Sequence, residues 1–129
     1  MNTEIITIDG YKIETYHVDD QLSFTTAYEA NSHGLPANGG LRYCKYDSLE
    51  AQQEEALTLA RRMTQKHKIY NTGFSGVKLV ANGAITAENK LKVLNAVGKV
   101  LNNFSGKIYT GCDLNINNQD MEYLYSITP

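Results

Sequence analysis

The spacing of apolar residues changes partway along the chain, and this change restricts the folds that the chain can adopt. The N-terminal part contains short β-branched and alternating segments typical of strands, at Glu4 to Ile8, Tyr11 to Val18 and Leu22 to Ala30. Asp9-Gly10 is a hairpin turn signal between the first two strands. After a predicted loop from Gly34 to Gly40, the apolar residues follow the helical period. The pattern therefore favours a fold that combines a sheet with helices.

Three helices are predicted in the rest of the chain. The first runs from about Ser48 to Lys66, with Asp47 as its N-cap and Glu50 completing a capping box. Its predicted apolar face comprises Leu49, Ala56, Leu57, Ala60 and Met63. Thr86 caps the second helix, whose predicted buried stripe comprises Leu91, Leu94, Val97 and Leu101. The last helix and two short strands are expected at Asn118 to Tyr125, Lys78 to Ala81 and Lys107 to Tyr109.

Strands first, and then strands separated by helices, predict an α/β or α+β fold. The chain has 129 residues, enough to bury a core as one domain spanning residues 1–129. We expect a mixed β-sheet with helices packed on it.

Composition and charge exclude several classes of function. The net charge is −2, whereas nucleic-acid binding requires clustered positive charge, so no nucleic-acid partner is expected. The N-terminus lacks the charged and apolar regions of a signal peptide, and no apolar run approaches the roughly 20 residues of a membrane span. Cys44 and Cys112 are too few for a disulfide scaffold, and we interpret them as reduced thiols of a cytoplasmic protein. His17, His33 and His67 have no metal-ligand spacing, and no metal site is predicted.

Four motifs carry the candidate chemistry. Two lysines, Lys66 and Lys78, lie 12 residues apart, the first closing Met63-Thr64-Gln65-Lys66 and the second closing Gly73-Phe74-Ser75-Gly76-Val77-Lys78. Gly39 and Gly40 lie in the upstream segment Gly34-Leu35-Pro36-Ala37-Asn38-Gly39-Gly40-Leu41-Arg42-Tyr43, and Asp113 closes the downstream segment Thr110-Gly111-Cys112-Asp113. Each charged residue also has an ordinary structural explanation. Lys66 could be a solvated lysine at a helix end, Lys78 a charged residue at a strand edge, and Asp113 a turn residue or cap.

Together these motifs resemble the N-terminal domain of the glutamate/leucine/phenylalanine/valine dehydrogenases from about Val18 to Pro129, with the leucine and phenylalanine branch most similar. The resemblance implies a domain that binds the substrate and forms the oligomer. It implies that Lys66 holds the substrate carboxylate and that Lys78 is the acid/base, with Asp113 as the partner of the amino group. It also implies that Gly39, Gly40 and Met63 line the substrate pocket.

The role of Lys78 requires a proton affinity below that of a free lysine, whose pKa of about 10.4 is too high for a base at neutral pH. We expect desolvation and a second ammonium, that of Lys66, to lower it. Three departures from the family pattern predict a reshaped site. Val77 stands in a turn that is typically Gly-Gly-Gly-Lys in the family, bulky residues follow Lys66, and Leu114-Asn115-Ile116-Asn117 follows Asp113.

The family's nucleotide-binding domain is the largest difference from this sequence. No strand is followed by a Gly-x-Gly-x-x-Gly fingerprint, so no Rossmann domain and no nicotinamide cofactor are expected. The leading hypothesis is a stand-alone enzyme that uses Lys/Asp acid–base chemistry on an amino, imino or 2-oxo acid, by imine hydration, tautomerisation or isomerisation. The alternatives are the substrate subunit of a split dehydrogenase with a separate Rossmann subunit, and a non-catalytic amino-acid sensor or oligomerisation module. A homodimer or higher homo-oligomer is expected in each case.

Overall fold

The computed structural model describes residues 2–31 and 34–128 as six strands and three helices. The strands are β1 (Asn2–Ile8), β2 (Tyr11–Asp19), β3 (Leu22–Glu29), β4 (Ala37–Cys44), β5 (Ser75–Asn82) and β6 (Ile108–Cys112), and the helices are α1 (Leu49–Tyr70), α2 (Ala87–Asn103) and α3 (Asn118–Ser126). His33 lies outside the described residues. Among the described residues, none of the helices is both long enough and apolar enough to cross a membrane.

The strands form a single mixed sheet in the order β1-β2-β3-β5-β4-β6. The neighbours from β1 to β5 run antiparallel, whereas β5, β4 and β6 are parallel to one another. Parallel neighbours need a crossover connection, and α1 supplies it between β4 and β5. The predicted α/β fold with a mixed sheet is confirmed.

The two faces of the sheet carry different helices. One face packs against α1 through Ile13, Ala27 and Val80. The other packs against α2 and α3 in the larger core, where Leu41 and Leu79 are fully buried. Because side chains alternate along a strand, each central strand contributes to both layers.

Helix α1 differs from its predicted limits at both ends. Its N-cap is Ser48, whose hydroxyl accepts a hydrogen bond from the amide of Ala51 at 3.0 Å, so the predicted cap at Asp47 with its Glu50 box is wrong by one residue. The helix continues one turn past Lys66, because the first break is Asn71, in the left-handed region at φ 49°. This extension places Lys66 inside the helix.

The glycine segment before α1 also differs from its prediction. The loop predicted from Gly34 to Gly40 ends early, since β4 begins at Ala37 and pairs with strands on both sides. Likewise β5 begins at Ser75 instead of Lys78. The positive φ of 83° in that turn belongs to Gly73, so Val77 lies in ordinary extended backbone without strain.

Helix α2 begins after Thr86, as predicted, with the Thr86 hydroxyl accepting from the amide of Asn89 at 3.1 Å. Its predicted stripe is correct except at Leu91, which is 48% exposed. At about 100° per residue, Leu91 lies about 160° from Val93 and about 120° from Val97 around the helix axis, outside the buried face. Strand β6 extends to Cys112, three residues beyond its predicted end at Tyr109, because it pairs in parallel with β4 along that length.

Candidate active site

Three of the predicted site residues converge on the face of the sheet that carries α1. Gly40, Lys78 and Asp113 come from β4, from β5 and from just beyond β6. Pairing of Asn38 with Gly76 and of Gly40 with Gly111 sets the register of these parallel strands. Residues that share a face recur every second position, which brings Lys78 and Asp113 alongside Gly40.

Lys78 is the buried centre of this site. The residue is only 7% exposed, and its ammonium donates a hydrogen bond to Oδ2 of Asp113 in an ion pair. A Cβ atom added to Gly40 would lie 3.2 Å from Nζ of Lys78 and 3.1 Å from Cβ of Asp113. The absence of a side chain at Gly40 therefore leaves room beside the ammonium.

Arg42 is a site residue that the sequence reasoning missed. Its Nε donates to Oδ2 of Asp113 at 3.2 Å, and its Nη2 lies 3.4 Å from Oδ1. The amide of Leu114 donates to Oδ1 at 2.7 Å, so each carboxylate oxygen accepts from two donors. Arg42 lies two residues after Gly40 and shares its face, a signal that was hidden because the glycine segment was interpreted as a loop.

The Asp113 carboxyl is held in its ionised form. Burial raises the pKa of Asp113. The hydrogen bonds from Lys78 and Arg42, together with the amide of Leu114, outweigh that effect, so the net pKa lies below the usual value of an aspartate. Asp113 is therefore a carboxylate at neutral pH.

The ion-pair network continues from Arg42 onto helix α1. Nη1 of Arg42 lies 3.2 Å from Oε1 of Glu55, and the Tyr46 hydroxyl donates to the other oxygen of Glu55. Burial and this hydrogen bond to Glu55 raise the pKa of Tyr46, so its hydroxyl stays a donor. Arg42 thus connects α1 to the end of β6.

Lys66 is not part of the buried cluster. It is exposed on α1, and within residues 2–31 and 34–128 its ammonium has no hydrogen bond or ion pair to another side chain. Met63, one turn earlier, is half-buried. The charged group that contacts the Lys78 ammonium is the Asp113 carboxylate. The expectation that the Lys66 ammonium lies near Lys78 and acts on it as a second positive charge stays a prediction.

His67 has a structural role beside Lys66, and the two side chains diverge because adjacent helical residues do not share a face. The His67 ring is buried, with Nε2 at 3.1 Å from the carbonyl of Asn38 and Nδ1 at 2.8 Å from the hydroxyl of Thr72. A carbonyl only accepts, so Nε2 carries the proton. The ring fastens the end of α1 to the start of β4.

Gly39 faces away from Lys78. Ala37, Gly39, Leu41 and Tyr43 are the buried set of β4, directed at the core beneath α2 and α3. A Cβ atom at Gly39 would collide with the carbonyl of Val77 on β5. The structural effect of Gly39 is the close approach of these two strands.

The described residues do not fit a dinucleotide or a metal. The turns that lead from β4 into α1 and from β5 into α2 are Lys45-Tyr46-Asp47-Ser48 and Gly83-Ala84-Ile85-Thr86, which lack the glycines needed for close approach of a pyrophosphate. Within residues 2–31 and 34–128, no cluster of three or more His, Cys, Asp or Glu side chains has a metal-binding arrangement.

The fold and these motifs define a domain of the amino-acid dehydrogenase class. The dimerisation domain of Glu/Leu/Phe/Val dehydrogenases matches residues 10–129, and the chain belongs to this family. Phenylalanine dehydrogenase of Thermoactinomyces intermedius is 30% identical over 90 residues, which cover 70% of this chain and 25% of that protein. L-tryptophan dehydrogenase of Nostoc punctiforme is 37% identical over 89 residues, covering 67% of this chain and 24% of that protein.

Solved structures agree with the family assignment. The crystal structure of L-tryptophan dehydrogenase from Nostoc punctiforme superimposes with a TM-score of 0.78 and 27% identity, over 92% of this chain and 36% of that one. The hetero-hexameric glutamate dehydrogenase from Thermus thermophilus shares the fold, with a TM-score of 0.65 at 19% identity, over 81% of this chain and 26% of that one. The chain spans about a quarter of the length of the curated relatives it matches.

Proposed function

We propose that this domain binds an amino, imino or 2-oxo acid and catalyses proton transfer at its carbonyl or amino group without a nicotinamide cofactor. The observation that carries the proposal is the buried Lys78–Asp113 ion pair beside the bare backbone of Gly40. Membership of the amino-acid dehydrogenase family supports the class of ligand. We assign residues 1–129 to one substrate-binding and dimerisation domain.

Each predicted residue has a role in this proposal. Lys66 anchors the ligand carboxylate, because its exposed ammonium offers three donors and a full positive charge. Met63 and Gly40 line the pocket, while Gly39 sets the strand spacing beneath it. Asp113 is the partner of the ligand nitrogen, whose N–H takes the place of one of the four donors that the carboxylate oxygens otherwise accept.

Lys78 moves the proton in imine hydration. A water oxygen bonds to the imine carbon, and the nitrogen takes a proton from the Lys78 ammonium as the C=N bond becomes single. The proton released by the added water returns to Lys78. Lys78 then gives a proton to the amino nitrogen, and the C–N bond breaks with its electron pair on nitrogen, which leaves as ammonia. The remaining hydroxyl returns its proton to Lys78 as the C=O bond of the 2-oxo acid forms. No hydride is transferred.

Oxygen exchange tests this function without a cofactor. A 2-oxo acid hydrates reversibly at the same carbon, so an active site of this kind should speed the entry of ¹⁸O from labelled water into the carbonyl, measured by mass spectrometry. We expect an exchange rate above that of buffer, and a parent protein that binds the acid without accelerating exchange would be a sensor instead. Turnover that required NAD and a separate Rossmann chain would indicate the split dehydrogenase.

We also propose a homo-oligomer, formed by pairing of β1 with β1 of a second copy. All residues of β1 are exposed, and within the described residues the strand pairs only with β2. An unpaired strand edge is a template for a further strand. Both cysteines are free thiols, which is consistent with the proposed cytoplasmic location.

A further inference from the structure

We propose that Arg42 is the positioning residue of this site, which holds Asp113 in place and ionised opposite Lys78. The inference extends the proposed function by adding a residue that acts through Asp113 and does not itself touch the ligand. Glu55 and Tyr46 complete the arrangement by holding Arg42.

The geometry of the guanidinium carries the argument. Its Nε and Nη2 point to the two oxygens of Asp113, at 3.2 and 3.4 Å, while Nη1 points to Glu55 at 3.2 Å. A planar guanidinium has donors in a fixed fork, so two contacts on one edge and a third contact elsewhere fix its orientation. The Arg42 and Asp113 side chains are 25% and 22% exposed, which limits screening by water.

Charges alternate through the whole network. Glu55, Arg42, Asp113 and Lys78 form a row in which each charged side chain contacts the opposite charge, from α1 through β4 to β5. The other groups that face this row are the hydroxyl of Tyr46, the thiol of Cys44 near that hydroxyl, and the amide of Leu114. Exposed Cys112 precedes Asp113 in the chain but contacts Asn118 instead.

Arg42 has two separable effects on Asp113. Its charge favours the carboxylate, and its fork restricts rotation of the carboxyl group so that Oδ2 stays directed at Lys78. Without Arg42, the side-chain contact of Asp113 that remains is the single one from Lys78. The site would then bind a proton on Asp113 at a higher pH and hold Lys78 less firmly.

The direct test follows the titration of Asp113 by ¹³C NMR in protein labelled at aspartate carboxyls, with Asp113→Asn to assign the resonance. Arg42→Gln should raise the pKa of Asp113 by about one pH unit or more, since an opposite charge at this distance lowers a carboxyl pKa by about 1–3 units. Arg42→Lys keeps the charge but loses the fork, so a smaller rise is expected. Arg61→Gln, which removes a half-exposed arginine paired with Asp9, is the matched control and should leave Asp113 unchanged.

Two readings separate this inference from the proposed function. The NMR titration requires no turnover, so it tests Arg42 even if the parent protein fails to exchange oxygen. If exchange occurs, the acidic limb of its pH profile should move to higher pH in Arg42→Gln and move part of the way in Arg42→Lys. An unchanged Asp113 titration in folded Arg42→Gln would overturn the inference, and where that variant does not fold, an unchanged titration in Arg42→Lys would do so.

Discussion

At the residue scale, the two lysines of the sequence motifs occupy opposite environments. Lys78 is buried and paired with Asp113, whereas Lys66 is exposed on α1. A buried lysine without a counter-charge would be costly, so the Asp113 contact is what allows Lys78 to occupy the interior. Substitution of Lys66 is therefore expected to change ligand affinity, whereas substitution of Lys78 is expected to change the rate of oxygen exchange.

Lys66→Ala should weaken the binding of 2-oxo and amino acids by roughly 1.5–3 kcal/mol, the value of a hydrogen bond to a charged group. Lys68→Ala is the matched control, because Lys68 is another exposed lysine near the end of α1. Isothermal titration calorimetry with each variant measures the difference. Equal affinity in the parent and in Lys66→Ala would remove Lys66 as the carboxylate anchor.

Lys78→Ala should abolish ¹⁸O exchange while leaving ligand binding largely intact, because the group that moves the proton is lost but the anchor remains. Asp113 keeps its ion pair with Arg42 in this variant, so the remaining carboxylate is not left unpaired. Lys78→Arg should not restore exchange, since a guanidinium stays protonated. Exchange at the parental rate in either variant would assign the chemistry to another group, and Lys90→Ala, remote on α2, serves as the control.

At the scale of the elements, the backbone of helix α1 lies directly against Gly76 of β5. A Cβ atom added to Gly76 would lie 2.6 Å from the carbonyl oxygen of Ala60 and closer still to the backbone amide of Thr64. The obstacle is helix backbone, which cannot rotate aside as a side chain can. Gly76 thus sets the height of α1 above the sheet, and with it the position of Met63 and Lys66.

Gly76→Ala should lower the free energy of unfolding by about 1–3 kcal/mol, the usual cost of overpacking. The control is Gly111→Ala on β6, where an added Cβ atom meets nothing within 4 Å. Urea denaturation of both variants tests the difference. If the two alanines destabilise equally, then the loss reflects strand propensity and not the helix contact.

At the scale of the whole molecule, the sheet ends in β1, a strand whose residues are all exposed, including Ile5 at 63%. Native proteins usually shield such an edge, and pairing with a second copy about a two-fold axis would do so. Lys78 lies on β5, and β2 and β3 separate that strand from β1 in the sheet. Assembly is thus expected at β1, apart from the strand that carries Lys78.

We expect the protein to self-associate at micromolar concentration, as measured by light scattering coupled to size-exclusion chromatography. Ile6→Lys, in the middle of β1, should shift the protein towards monomer because a charge would be buried in the new strand pair. Ile69→Lys, at an exposed residue near the end of α1, is the control and should not change the assembly. A monomeric parent protein would refute the edge-pairing model.

The local elements were largely predictable from the sequence, because their signals are local. The hairpin at Asp9-Gly10 and the helix that begins after Thr86 follow from turn and capping chemistry within a few residues. The motifs around Lys66, Lys78 and Asp113 likewise indicated the family. Helix ends were less certain, as the one-residue error at Ser48 shows, because neighbouring polar residues compete for the same cap.

Only the tertiary structure decided which of these residues meet. Strand order and register place β5 between β3 and β4. As a result Gly39 and Gly40 belong to strand β4 and face opposite sides of the sheet. The same register brings Arg42 onto Asp113, 71 positions away in sequence. Pairing between distant strands depends on contacts across the whole sheet, which leave no periodic trace in a single segment. The sequence by itself therefore determined the kind of domain and its chemical groups, and the sheet decided their arrangement.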